Sequence, residues 1–156
     1  MPLYIAFIYQ YNNRRMEAIM GMVQAEITLK NYDDEISVRQ GQRKMEDIRT
    51  ATVTAIVDTG SMYMVIPEAL SRQLGLIATG ERTAHIANGQ RVNCKLIKAV
   101  EVQWKNRNTV VPAIIIPGSE KILLGAIALE GMDLMVNPVA QEVVGVHGDR
   151  EEFLVV

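Results

Sequence analysis

The chain has little of several residue types that mark particular classes of protein. It holds one cysteine in 156 residues, Cys94, so no internal disulfide framework can form. Its two histidines, His85 and His147, lie far apart in the sequence. A Cys/His zinc site or a Ser-His-Asp triad would therefore have very few residues to draw on, and we predict no metal site.

An excess of charge of one sign is also missing. Lys plus Arg number 16 and Asp plus Glu number 18, which gives a formal charge of −2. This balance excludes a strongly basic nucleic-acid binder and a polybasic membrane clamp. No run reaches the roughly 18 apolar residues that a membrane helix needs. The short apolar run at residues 3–9 precedes its positive charges, the reverse of a secretory signal, so we expect a cytoplasmic protein without a membrane partner.

Apolar residues make up 49% of the chain and charged residues 22%, close to the globular average. The length suits one domain. We place that domain at residues 22–148, between an N-terminal extension at residues 1–21, which fits the rest poorly, and a polar tail at residues 149–156.

Two segments in the first third of the domain predict strands. Residues 22–30 alternate between apolar and polar side chains, and residues 50–57 are rich in β-branched residues. Residues 31–49 are polar and charged, which indicates a solvated loop with at most a short strand at 36–39. Pro67 and Gly75 lie where a helix over residues 67–74 would begin and end.

The second half predicts further strands. Asn88-Gly89 favours a two-residue type I′ turn between the strands of a hairpin. Alternate apolar residues from 92 to 104 indicate one buried face that includes Cys94, with Lys98 as the exception. Pro112 marks an edge or a bulge in the next strand. Helical turns at 126–130 and closing strands at 133–136 and 139–146 complete a mainly β pattern.

The segment with the most chemical content is Ile56-Val57-Asp58-Thr59-Gly60-Ser61. Asp58 directly follows an apolar strand, and burial of a carboxylate is costly unless it is hydrogen-bonded or shares a proton. Gly60 permits a tight turn that brings backbone N–H groups near the carboxylate. A plain turn with Asp58 as its cap stays an open alternative, but a second apolar run, Ile122-Leu123-Leu124-Gly125, precedes a short helix further on.

With these pieces in this order, the chain resembles the retropepsin-like aspartic proteases, in particular their small bacterial members. The resemblance spans residues 22–146. It is carried by residues 56–61, Val65-Ile66-Pro67 with the helix after it, Ala87-Asn88-Gly89-Gln90, Leu123-Leu124-Gly125, Leu129-Glu130 and Val136-Asn137-Pro138.

The resemblance implies an all-β fold with one or two short helices, a closed β-barrel-like lobe of the acid-protease type. One Asp-Thr-Gly per chain implies a homodimer in which Asp58 faces its mate on the two-fold axis. The implied activity is endopeptidase cleavage of peptide or protein substrates without a cofactor. Asp58 would be the catalytic acid and base, Thr59 would brace its loop and Gly60 would shape it.

The resemblance also assigns substrate contacts. They are Ser61, Leu123, and Ala87, Asn88 and Gly89 in a hairpin at residues 82–92 that would close over the substrate as a flap. Ser61 replaces the usual alanine, and Ala126 stands where retroviral enzymes carry an arginine that braces the dimer. A flap that differs from the glycine-rich retroviral one leaves substrate specificity open.

Two other functions fit the same residues. The fold could be a peptide-binding or dimerisation module without turnover, which would share every expectation except hydrolysis. Alternatively, the chain could be a small β subunit in which Asp58 only caps a turn.

Overall fold

The computed structural model describes residues 22–86 and 88–153, so the predicted extension at residues 1–21 lies outside the described residues. The described part forms nine strands and a few short helices. The strands are β1 (Gln24–Lys30), β2 (Thr50–Val57), β3 (Met64–Val65), β4 (Gly80–His85), β5 (Arg91–Trp104), β6 (Arg107–Ile115), β7 (Leu123–Leu124), β8 (Leu134–Asn137) and β9 (Glu142–Gly145). The α-helices are α1 (Tyr32–Arg39), α2 (Glu68–Gln73) and α3 (Ala126–Gly131), and a 3₁₀ helix spans Met45–Asp47.

The main sheet has seven strands in the order β1-β2-β7-β3-β6-β5-β4. Because β1 also pairs with β5, six of these strands close into a ring and β4 extends from it. Strands β8 and β9 form a separate antiparallel pair. The mainly β fold is thus confirmed. Among the described residues, none of the helices has the length and apolar character that a membrane crossing requires.

The interior of the ring is apolar because alternate residues of each strand point inward. In β1 these are Ala25, Ile27 and Leu29, which are buried while their neighbours face outward. Antiparallel pairing of β1 with β2 runs along the whole of both strands. The predicted strands at 22–30 and 50–57 are therefore confirmed, and β2 is held rigidly up to its last residue.

Strand β5 does not present the single apolar face that its sequence predicts. Its register against β6 slips by one residue between Ile97 and Val100, which is a β-bulge. The bulge separates Cys94 and Leu96, in a smaller apolar cluster, from Ile97 and Val100 in the main core. Lys98 is exposed at the bulge, which explains why it broke the alternation.

Pro112 lies opposite this bulge. Its neighbours in β6, Val111 and Ala113, pair with the residues on either side of the slip. A proline has no backbone N–H to donate, so it fits where the regular ladder is interrupted. The predicted association of Pro112 with a bulge is confirmed.

The predicted solvated loop at residues 31–49 is wrong, because α1 forms there. Asn31 caps this helix: its side-chain oxygen accepts a hydrogen bond from the N–H of Asp34 at 3.0 Å. Asn31 and Asp34 are each only 2% exposed. Hydrophobic periodicity did not reveal this helix, because polar residues bond to one another at its inward-facing start.

The predicted hairpin is present and is formed by β4 and the first part of β5, from Gly80 opposite Leu96 to His85 opposite Arg91. We call it the β4–β5 hairpin. Its predicted two-residue turn is wrong. The N–H of Ile86 donates to the carbonyl of Gln90, so three residues connect the paired ends.

Candidate active site

The end of β2 brings the two motifs of the sequence together. Strand β2 pairs in parallel with β7, with Ile56 opposite Leu123. The N–H of Asp58 donates to the carbonyl of Leu124 at 3.0 Å. Asp58 is therefore fixed directly beside the Leu123-Leu124-Gly125 segment, although more than sixty residues separate them in the chain.

The carboxylate of Asp58 is held on one side only. Its Oδ1 accepts a hydrogen bond from the N–H of Gly60 at 2.9 Å, and the N–H of Ser61 donates to the Asp58 carbonyl at 3.2 Å. Within the described residues Oδ2 has no hydrogen-bond donor. Asp58 is half-buried and Gly60 is exposed.

The loop at residues 58–63, the Asp58 loop, rests on the start of α3. The N–H of Ala126 donates to the carbonyl of Ser61 at 2.7 Å, and the N–H of Ile127 donates to the carbonyl of Met62 at 3.3 Å. A Cβ on Gly125 would lie 2.5 Å from the carbonyl oxygen of Tyr63 and 2.7 Å from that of Ser61. Only glycine allows this approach, so the glycine of the second motif is required by packing under the loop.

Two residues that carry hydroxyl groups, Thr59 and Ser61, follow Asp58 in the loop. The Ser61 Oγ donates to the carbonyl of Tyr63 at 2.7 Å, which directs this hydroxyl into the Asp58 loop. Thr59 is half-buried, and its hydroxyl makes no hydrogen bond to the residues that the structure describes. The roles of Thr59 in bracing the loop and of Ser61 in contacting substrate stay predictions.

Leu123 lies opposite Ile56, close to the Asp58 loop. It is half-buried against the smaller cluster, together with Tyr63 and Ile116. Cys94 lies in the same cluster, and its burial raises the pKa of the thiol, which agrees with a structural role.

The turn of the β4–β5 hairpin is exposed and hydrogen-bonded within itself. The side-chain oxygen of Asn88 accepts from the N–H of Gln90 at 2.9 Å, and its nitrogen donates to the side chain of Gln90 at 3.1 Å. In the described part of the chain, no hydrogen bond joins Asn88 or Gly89 to the Asp58 loop. Ala87, predicted to contact substrate, lies outside the described residues, and all three contacts stay predictions.

The histidines lie away from this loop. His85 is exposed near the end of β4, and His147 Nδ1 lies 2.7 Å from Asp133 Oδ2. Within residues 22–86 and 88–153, no three His, Cys, Asp or Glu side chains are grouped so that they could hold a metal ion.

A second polar cluster was missed by the sequence reasoning. Asn31, Asp34 and Arg49 bond to one another at the base of α1. A signal was present: an asparagine, Asn31, with acidic residues at positions 33–35 in the first turn after it, is the usual start of a helix. The cluster could not be found from pattern alone, because Arg49 joins it across 15 residues of chain.

Comparison with known proteins identifies the family of this chain. No significant match is found among curated proteins. A family model described as aspartyl protease matches residues 44–128, which is more than half of the chain and includes β2, the Asp58 loop, the β4–β5 hairpin and the start of α3. The chain therefore belongs to the retropepsin-like aspartyl protease family.

Proposed function

We propose that this chain is an aspartic endopeptidase that works as a homodimer, with the Asp58 carboxylates of two copies forming the catalytic pair. The observation that carries the proposal is the state of Asp58. One oxygen is bound by the N–H of Gly60 and the other has no donor among the described residues, on a loop fixed by β7 and α3.

The need for a second copy follows from the chemistry. Hydrolysis by this class of enzyme uses two carboxylates about 3 Å apart that share one proton. The chain contains one Asp-Thr-Gly segment, at residues 58–60. A two-fold axis beside Asp58 would supply the second carboxylate from an identical surface, as an isologous dimer requires.

In the proposed reaction the ionised carboxylate takes a proton from a water molecule, and the water oxygen forms a bond to the scissile carbonyl carbon. The protonated carboxylate donates its hydrogen to the carbonyl oxygen, which gives a tetrahedral diol. When the C–N bond breaks, the leaving nitrogen takes a proton from the pair and the other product is a carboxylic acid. Oδ2 of each Asp58, the oxygen without a donor among the described residues, is the atom that would contact the water.

Asp58→Asn tests the catalytic assignment. Against a mixture of peptides with apolar segments, we expect cleavage to fall about 100-fold or more, because the amide cannot accept the proton of water. Asp33→Asn, which changes an exposed aspartate in α1, is the matched control and is expected to retain cleavage. Equal cleavage by Asp58→Asn and wild type would contradict the assignment.

Subunit mixing tests the shared site. When wild type and Asp58→Asn are refolded together in equal amounts, random pairing leaves about one quarter of the dimers with two intact carboxylates. We expect total activity to fall to that fraction of an all-wild-type sample. Independent sites would retain about one half, and a monomer at assay concentration would reject the homodimer.

The same measurements separate the alternatives. A silent peptide-binding module would bind peptide without cleavage, and Asp58→Asn would not change its binding. A turn cap without catalysis would be monomeric and inactive. The cytoplasmic location stays a prediction from the sequence.

A further inference from the structure

Asn31, Asp34 and Arg49 form a polar cluster in which Asn31 and Asp34 are buried and the Arg49 side chain is 45% exposed. The guanidinium of Arg49 donates from Nε to Asp34 Oδ2 and from Nη2 to Asp34 Oδ1, each at 2.8 Å. The backbone N–H of Arg49 also donates to Asp34 Oδ2 at 3.0 Å, and the N–H of Asn31 donates to the Arg49 carbonyl at 2.9 Å. These bonds hold the pKa of Asp34 at about 2, so its charge is retained in the fold.

The cluster reaches beyond α1 to the end of α2. The side-chain nitrogen of Asn31 donates to the carbonyl of Leu74 at 2.8 Å and to that of Gly75 at 3.2 Å. Gly75 has φ +64° at the end of α2, and a Cβ there would lie 1.8 Å from Nη1 of Arg49. The guanidinium therefore occupies the space where any other residue at position 75 would carry its side chain.

Gly75 is the point from which the chain leaves for β4. The N–H of Leu76 donates to the carbonyl of Ser71 at 2.9 Å, and the N–H of Thr79 donates to the carbonyl of Leu96 in β5 at 2.8 Å. Strand β4 begins at the next residue, Gly80. The contacts of the cluster thus end at Gly75, and residues 76–79 connect this point to the β4–β5 hairpin.

The first residues of the cluster lie outside the segment that defines the family. Asn31 and Asp34 precede the matched residues 44–128, whereas Arg49 lies inside them and directly precedes β2. The cluster therefore connects the start of β2, the strand that leads to Asp58, with the end of α2 at Gly75, through a helix that lies outside the family match.

We propose that the polar cluster fixes the chain at Gly75, from which residues 76–79 lead into the β4–β5 hairpin, and so sets the position of the hairpin, with Asn31 and Arg49 as positioning residues. The inference rests on the proposed protease function, because it assigns the hairpin a role in holding substrate. Neither side chain contacts the Asp58 loop by a hydrogen bond within the described residues, so their effect would pass through Gly75 and residues 76–79.

Asn31→Ser isolates the link between the cluster and α2. Serine retains the ability to cap α1 but has no amide to donate to Leu74 and Gly75. We expect amide hydrogen exchange at Leu76 and Thr79 to accelerate about tenfold or more, with exchange at Asp58 and Ala126 unchanged. We expect KM for a peptide substrate to rise about threefold or more with kcat within about twofold, because binding is weakened and the carboxylates are not moved.

Arg49→Lys is the second variant, since lysine keeps the charge but cannot make the two-pronged contact with Asp34. It should reproduce both effects. Arg72→Lys, an exposed arginine on α2, is the matched control and should change neither.

The outcomes distinguish the two proposals. If Asn31→Ser and Arg49→Lys both match the control in exchange and in KM, the positioning role is rejected while the protease function stands. Faster exchange at Leu76 and Thr79 with unchanged KM would also reject it, because the cluster would then be structural only. If wild type shows no Asp58-dependent cleavage, the proposed protease function fails, and the effect of the cluster on substrate binding fails with it. The exchange data would still decide whether the cluster holds the chain that leads into the hairpin.

Discussion

Gly125 shows, at the scale of a single residue, how a missing side chain shapes the candidate active site. Three carbonyl oxygens of the Asp58 loop, from Ser61, Met62 and Tyr63, lie 2.5–2.9 Å from where its Cβ would be. The loop can therefore approach the start of α3 and accept the N–H of Ala126. The position of Asp58 depends on this contact as much as on the end of β2.

Gly125→Ala is expected to lower the free energy of unfolding by about 1–3 kcal/mol, because the added methyl must push the loop away. Peptide cleavage should fall more than stability alone explains, since Asp58 moves with the loop. Urea unfolding and cleavage of the folded protein measure the two effects. Gly80→Ala is the control, because a Cβ at Gly80 meets no atom within 4 Å.

Glu35 is a second residue whose surroundings set its chemistry. It lies on α1, and its Oε2 is buried with no hydrogen-bond partner among the described residues. Burial, together with the nearby Glu101, raises the pKa of Glu35 to about 7 from an ordinary 4.5, although Lys30 and Arg39 act in the opposite direction. Glu101 accepts a hydrogen bond from the side-chain nitrogen of Asn108 at 3.0 Å.

The raised pKa of Glu35 makes stability depend on pH. Because the folded state binds the proton more tightly, the contribution is fully present below about pH 4.5 and is lost as pH rises through about 7. We therefore expect the unfolding free energy of wild type to decline between pH 5 and pH 8, and we expect Glu35→Gln to remove that decline. Urea unfolding across that range measures it, with the exposed Glu81→Gln as control. An unchanged slope in Glu35→Gln would contradict the assignment.

Arg107 acts at the scale of the elements, because it joins three parts of the fold. It lies buried at the start of β6, and its Nη1 donates to the carbonyls of Met132 at 3.1 Å and Asp133 at 2.8 Å, after α3. Its Nη2 donates to the carbonyls of Gly148 and Arg150, beyond β9. One planar guanidinium thus satisfies carbonyls from two segments that no regular hydrogen-bond ladder holds there.

Arg107→Lys should lower the free energy of unfolding by about 1–3 kcal/mol, because a single ammonium cannot reach every carbonyl and leaves buried acceptors unpaired. The loss should be accompanied by faster amide exchange at Val146 and Glu152, whose N–H groups bond to Asp133. Arg150→Lys, at an exposed position, is the control. Equal stability and exchange in both variants would show that Arg107 does not anchor this segment.

At the scale of the whole molecule, the proposed function makes the ring of strands one half of an active site. The Asp58 loop lies at the surface, and its carboxylate has an oxygen without a donor among the described residues. Family membership supports proteolysis, and with one Asp-Thr-Gly segment per chain the proposed mechanism takes its second acid from another copy. Assembly and activity should therefore depend on each other.

Dilution is expected to lower activity per subunit, because the active dimer dissociates by mass action. The midpoint of urea unfolding should rise with protein concentration for the same reason. Sedimentation velocity and peptide cleavage at matched concentrations measure both, and the fall in activity should track the fall in dimer. Activity per subunit that stays constant while the dimer dissociates would contradict a shared site.

Much of the fold was predictable because short-range patterns carry it. Strands β1 and β2 follow alternation and β-branched composition, and α2 follows Pro67 and Gly75. The candidate site was predictable in its parts, the Asp-Thr-Gly segment and the Leu-Leu-Gly segment, and the parallel pairing of β2 with β7 confirms that they meet.

The sequence by itself determined which residues alternate, where turns interrupt them and which carboxylate follows a buried strand, since these depend on neighbours along the chain. Tertiary structure alone decided the bulge at Lys98, the burial of Asn31 and Asp34, and the support of the Asp58 loop by Gly125. Each of these depends on atoms brought together across the fold. Polar residues that are typical of a solvated loop, such as Asn31 and Asp34, form hydrogen bonds with one another when the fold buries them.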